Sequence, residues 1–122
     1  MPAQKPEQVN ELLIAALTGG DVEAALALYE PEASFVSNGQ TLTGKAAIRT
    51  ALEGFVAIKP QFKMTTKPTT QTGDIALTGS HWSATGTGPD GSTLEMSGSS
   101  YEVVRRGDDG VWLFAIDIPD AG

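Results

Sequence analysis

Three side chains in this sequence could carry a proton to or from a bound molecule: Tyr101, Asp117 and His81. Asp117 interrupts an apolar run, with Trp112-Leu-Phe-Ala-Ile116 before it and Ile118 after it. A carboxylate in such company is paired, placed at a strand end, or raised in pKa until it can act as an acid or base. A structural hydrogen bond at the end of a sheet is the expectation. Tyr101 follows Ser97, Ser99 and Ser100, small residues that leave room beside its ring. Its hydroxyl could orient a carbonyl or carboxyl group, or the ring could lie on a sheet with its hydroxyl in solvent. His81 is the one side chain with an ordinary pKa near neutrality. It adjoins Trp82, so strand alternation sends the two to opposite faces, and a His81 turned outward is not catalytic.

Other chemistries are excluded by what is missing. The chain has no cysteine, which removes disulfides, thiol nucleophiles and thiolate metal sites. With one histidine, zinc would depend on carboxylates, which suit it poorly, so no metal site is expected. No phosphate-binding loop, dinucleotide fingerprint or nucleophile elbow is present, and no cofactor is expected. The glycine-rich stretch from Gly86 to Gly91 leads into no helix N-terminus. Fifteen acidic residues against eight basic give a net charge of −7 and a pI near 4.5. That field repels phosphate backbones and anionic lipid, so neither nucleic acid nor a membrane surface is an expected partner. The apolar stretch from Leu12 to Leu17 is bounded by Glu11 and Gly19-Gly20, too short to cross a bilayer. The N-terminus lacks the apolar core of a signal peptide, and a soluble cytoplasmic location is the default expectation.

The 122 residues suit a single domain with one core, residues 1–5 being a loose tail. Pro6 suits a first helical turn, after which Val9, Leu12, Leu13, Ala16 and Leu17 recur on one helical stripe. Gly19-Gly20 ends that helix and Asp21 can cap the next. Val22, Ala25, Leu26 and Tyr29 form a second, shorter stripe stopped by Pro31. Ala33 to Ser37 reads as a short strand before an Asn38-Gly39 turn. Gly44 opens a third helix, with Ile48, Ala51, Leu52 and Phe55 on one face, until Pro60.

From Gln61 to Thr72 the pattern alternates, with Phe62, Met64 and Thr66 on one side and solvated Lys59, Lys63 and Lys67 on the other. Three longer runs follow, Ile75–Thr87, Thr93–Arg106 and Val111–Ile118. Gly-Pro-Asp-Gly and Gly-Asp-Asp-Gly join them, residues that preset the dihedrals of tight turns. Gly79, Gly86 and Gly98 fit bulges or bends that would curve the sheet.

This order predicts an α+β fold, a cone-shaped roll with three N-terminal helices on a curved, mainly antiparallel sheet. Three helices do not fill a bent sheet, so a hollow is expected between the layers. Its candidate lining is Tyr29, Phe35, Phe55, Met64, Trp82, Ser99, Tyr101, Trp112 and Phe114, although a buried tryptophan such as Trp82 or Trp112 fills space more often than it binds. Glu95 and Glu102 have opposite parity on one strand, so only one can face inward.

The segments Ala15–Val36, Leu42–Phe55 and Gly98–Ile118, taken with the strand order, resemble the nuclear transport factor two-like, or cystatin-like, superfamily. That superfamily includes ketosteroid isomerases, SnoaL-type cyclases and scytalone dehydratase. A Trp in the last strand followed by Asp is most similar to its small SnoaL-like group. The resemblance implies a cone-shaped homodimer paired through the outer sheet face, with a small, largely apolar molecule bound inside.

It does not imply steroid-type isomerisation. Leu13 takes the position of that family's helix phenol, Ser37 or a neighbour that of its base, and Tyr101 or an adjacent residue that of its protonated acid. Leucine donates no hydrogen bond, and a serine without a partner base removes no carbon-bound proton. Scytalone dehydratase-like chemistry would need paired histidines. The resemblance leaves open an isomerase, cyclase or dehydratase of a polyketide or cyclic ketone, with Tyr101 as donor and Asp117 or His81 as proton carrier. It also leaves open a domain used only for protein interaction.

Overall fold

The computed structural model describes residues 2–121. Three helices, α1 (Gln8–Thr18), α2 (Val22–Leu26) and α3 (Lys45–Ala57), cover one face of a seven-stranded sheet. The strands are β1 (Tyr29–Ser37), β2 (Gln40–Thr43), β3 (Gln61–Thr66), β4 (Thr70–Thr72), β5 (Ile75–Thr87), β6 (Thr93–Arg106) and β7 (Trp112–Ile118). They run in the order β2-β1-β7-β6-β5-β3, with β4 beside β5, and only the β1–β7 pairing is parallel. The fold is thus the expected α+β arrangement. None of the described helices is long and apolar enough to cross a membrane.

Local chemistry accounts for the element boundaries. The Asp21 carboxylate caps α2 by accepting the Ala24 N–H at 3.0 Å. Asn38 and Gly39, at φ 53° and 74°, make the two-residue left-handed turn that joins β1 to β2. The turn was legible, but β2 itself was not, since Gln-Thr-Leu-Thr is short and lies at the sheet edge.

Tyr29 is not helical, contrary to its apolar spacing. The helix stops at Leu26, and the Leu28 carbonyl accepts the Phe114 N–H at 2.8 Å, which commits the chain to β7. Pro31 is tolerated because the β1–β7 register shifts between Tyr29 and Ser34, where no ladder bond is required of it. The stretch expected as a loose tail is held over its described part. Ala3 is fully buried and its carbonyl accepts the Trp112 N–H at 3.1 Å; Met1 lies outside the described residues.

The expected glycine bulges do not occur, because β5 and β6 pair without interruption from Ile75↔Arg105 to Thr87↔Thr93. Gly98 has a different use. It lies opposite Trp82, and a Cβ there would sit 2.9 Å from the indole, so the ring needs the bare backbone. The bulges are in β1 and in β7, where Val103 pairs Ile116 but Val104 pairs Phe114, leaving Ala115 without a partner.

The core lies between helices and sheet, built on Val9, Leu26, Ile48, Leu52, Tyr29, Val104, Trp112 and Phe114. On the opposite face of the sheet Ile75, Leu77, Tyr101 and Ile116 stay 38–45% exposed.

Candidate functional site

The bulge at Ala115 decides where the chemistry lies. Phe114 faces the core, and plain alternation would put Asp117, three residues on, on the outer face. The extra residue reverses the parity, so Ile116 points out and Asp117 points in. There Asp117 stands directly opposite Glu102 on β6, and the two residues are only 3% and 2% exposed.

Neighbouring elements complete the cluster. Glu102 Oε1 accepts from Asn10 Nδ2 of α1 at 2.7 Å and from Thr78 Oγ1 of β5 at 2.8 Å. Asp117 Oδ2 accepts from the Tyr29 hydroxyl at 2.6 Å. Beside them the Ser80 and Ser100 hydroxyls share a hydrogen bond of 2.8 Å. Every one of these groups lies on an inward position of its strand or helix.

Asp117 is pushed up to about 7. Burial is the main cause and the facing charge of Glu102 adds to it. The Tyr29 hydrogen bond opposes the rise, and Asp120 contributes a little. Burial also holds the Tyr29 phenol well above its ordinary range, helped by the Asp117 charge and hydrogen bond and by Glu102. The cluster is therefore an aspartate that holds a proton up to near neutrality, a facing glutamate, and a tyrosine fixed in its neutral form.

This polar floor closes a cavity walled by Leu13, Leu17, Phe35, Leu52, Phe55, Phe62, Trp82 and Pro119. Its volume is about 50 Å³. A water needs at least roughly 10–15 Å³, so the space takes a few waters or one small organic group. At the rim, Trp82 rests on Gly98, meets Phe62 at 6.1 Å between ring centres, and donates its indole N–H to the Pro119 carbonyl at 2.7 Å. Among the described residues no cluster of His, Asp and Glu is arranged to hold a metal ion.

Of the residues singled out in the sequence, Tyr29, Phe35, Phe55, Trp82 and Asp117 line this cavity. The others lie elsewhere. Trp112 and Phe114 are core, Phe114 stacking on Tyr29 at 4.8 Å. Met64 lies outside the lining, paired across β3 and β5 with Trp82. Tyr101 and Ser99 have the parity of the outer face. There Lys67 Nζ sits 3.8 Å above the Tyr101 ring and donates to Ser99 Oγ, so this lysine is not simply solvated. His81 is exposed on the same face, as alternation against Trp82 required.

Glu102, next to Tyr101, takes the inward place on β6, as the parity of Glu95 and Glu102 allowed. Leu13 lines the cavity and Ser37 does not; the polar group on α1 comes from Asn10, one turn before Leu13. Asn10, Thr78, Ser80 and Ser100 were missed. Each carried a signal: Asn10 shares the stripe of Leu13 and Leu17, Thr78 and Ser80 alternate in phase with Ala76 and Trp82, and Ser100 has the parity of Glu102.

Residues 10–114 match the SnoaL-like domain family. The chain belongs to that family. The match runs from Asn10 in α1 to Phe114 in β7, so Asn10, Tyr29, Thr78 and Glu102 lie within this SnoaL-like domain and Asp117 stands three residues past its matched end. None of the curated proteins matches the chain.

Solved structures share its fold at low identity. A ketosteroid isomerase-like protein from Erwinia carotovora atroseptica SCRI1043 is 18% identical with a TM-score of 0.82, over 93% of this chain and 90% of that one. A conserved protein from Planctomyces limnophilus DSM 3776 is 21% identical with a TM-score of 0.83, over 92% and 89%. An NTF-2 like protein of unknown function from Shewanella oneidensis MR-1 is 19% identical with a TM-score of 0.76, over 92% and 93%.

Proposed function

We propose that this SnoaL-like domain binds a small molecule, largely apolar with one polar group, between its helices and its sheet. The observation that carries the reading is the division of the cavity. Leucine and aromatic side chains make its walls, and one end holds Glu102, Asp117, Tyr29 and the Ser80–Ser100 pair. Few, convergent polar groups on an apolar wall are what a small-molecule site consists of. The test is native mass spectrometry of freshly purified protein, followed by titration with small alcohols and cyclic ketones while watching the Trp82 indole resonance. An adduct mass, or a saturable shift of that resonance, supports the reading. A bare protein mass with an unmoved indole signal rejects it.

A second reading, an isomerase, cyclase or dehydratase of a polyketide or cyclic ketone, is favoured by the pKa of Asp117 near 7 beside the Tyr29 hydroxyl. The name of the Erwinia protein points the same way. Asp117 is the proton carrier in this reading, and Tyr101 and His81, both on the outer face, have no part. Deuterium exchange at the carbon next to the carbonyl of a cyclic ketone checks it. Exchange that Asp117→Asn leaves unchanged speaks against it.

The outer sheet face supports pairing with a second copy. Leu77, Val103 and Ile116 are adjacent across β5, β6 and β7, with Tyr101 and Ile118 beside them. The charges there are covered: Arg105 pairs with Glu30 at 3.0 Å and Lys67 with the Tyr101 ring. That face thus carries an apolar stripe over β5, β6 and β7, with Lys63 and Glu95 exposed toward its other end, for a second copy to cover.

A further inference from the structure

The cavity is unbalanced in charge. Among the described residues lining it there is no lysine, arginine or histidine, whereas Glu102 and Asp117 both face it. Their protein partners use only one oxygen of each: Asn10 and Thr78 bond Oε1 of Glu102, and Tyr29 bonds Oδ2 of Asp117. Glu102 Oε2 and Asp117 Oδ1 accept from no described residue, on side chains 2% and 3% exposed. Among the described residues no fully buried side-chain oxygen is left without a partner, so these two oxygens keep contact with the cavity space and can take a donor from whatever enters it. Five aromatic residues, Tyr29, Phe35, Phe55, Phe62 and Trp82, line the same space, and ring faces attract cations.

We propose that the cavity is a site for a small aliphatic ammonium ion, whose N–H groups meet the free oxygens of Glu102 and Asp117 and whose carbons lie against the aromatic walls. This rests on the reading that the cavity binds a small apolar-bodied molecule, and it names the class. An anion meets two carboxylates with no cation to offset them. A neutral ketone only accepts, so it leaves Glu102 Oε2 without a donor. An ammonium donates to both oxygens, and the desolvation of the carboxylates has already been met by folding.

Proton balance follows from the same geometry. The groups facing Asp117 are Glu102 from β6, Tyr29 from β1 and Asp120 beyond β7, and α1 adds the uncharged Asn10. Where Asp117 holds a proton, entry of the ammonium releases it to solvent and the ligand's charge takes its place. The affinity therefore rises with pH.

Isobutylammonium, isobutanol and isobutyrate have similar carbon bodies and differ in charge. Calorimetry in two buffers of different ionisation enthalpy, with the Trp82 indole resonance as a second readout, compares them. At about pH 8 the ammonium is expected to bind about tenfold or more tightly than the alcohol, with isobutyrate silent. At about pH 6 its binding releases close to one proton and the advantage shrinks. Glu102→Gln should remove the advantage while the alcohol still binds, and the wild-type comparison decides the matter if that variant does not fold. Alcohol binding equal to or tighter than the ammonium overturns the class and leaves small-molecule binding standing. An indole signal unmoved by all three probes overturns both.

Discussion

Glu102 and Asp117 face each other across β6 and β7, cross-strand partners on the buried side of the sheet. Like charges directly opposite in a sheet destabilise it, and burial multiplies the effect. The fold accommodates the pair by unequal support. Glu102 takes two hydrogen bonds through Oε1, and Asp117 takes one, from a phenol that stays neutral. Asp117 accordingly keeps a proton up to near neutral pH.

Stability should fall as pH rises from about 4 to about 7. Unfolded, Asp117 titrates near 3.8; folded, it titrates at about 7, so the native state holds the proton more tightly. The stabilisation is complete below the lower value and is lost as pH rises through the higher one. The single group is worth about 4 kcal/mol across that range, at roughly 1.4 kcal/mol per pH unit. Urea unfolding at several pH values measures it. Asp117→Asn, whose amide oxygen still accepts from Tyr29, should flatten the curve, and an unchanged slope in that variant would contradict the assignment.

Tyr29→Phe keeps the ring that stacks on Phe114 and removes the hydroxyl bonded to Asp117. The hydrogen bond lowers the Asp117 pKa, so its loss should raise it further. The variant should also lose about 1–2 kcal/mol of stability. Carbon-13 titration of the aspartate carboxyl carbons reads the first effect and denaturation the second.

Gly98→Ala places a methyl group 2.9 Å from the Trp82 indole. The ring must leave its seat, and its hydrogen bond to the Pro119 carbonyl goes with it. A cost of about 1–3 kcal/mol is expected, as for other overpacked sites, together with a displaced indole N–H resonance. An indole signal at its wild-type position would show that the ring does not rest on Gly98.

Leu77→Asp places a charge at the centre of the outer apolar stripe, opposite Val103. If that face pairs with a second copy, light scattering should find the wild-type chain dimeric and the variant monomeric at the same concentration. A monomeric wild type would count against the pairing.

Much of the architecture was legible because it depends on local rules. Helical stripes, the Asp21 cap, the Asn38-Gly39 turn and the two Gly-Asp turns follow from side-chain spacing and backbone dihedrals, which neighbouring residues determine. Trp82 and His81 fell on opposite faces for the same reason, since β5 runs without interruption from Ile75 to Thr87. Tyr29 was misplaced because a helical spacing of apolar residues does not reveal which distant strand will claim the backbone.

The site was only half legible. Asp117 stood out as a carboxylate among apolar residues, but its partners are 15, 88 and more positions away and meet only through sheet order. Composition and periodicity by themselves settled the presence of three helices, the long C-terminal strands and the absence of thiol chemistry. Tertiary structure decided which carboxylates face inward, because a single unpaired residue, Ala115, reverses the parity of β7, and bulges depend on long-range pairing.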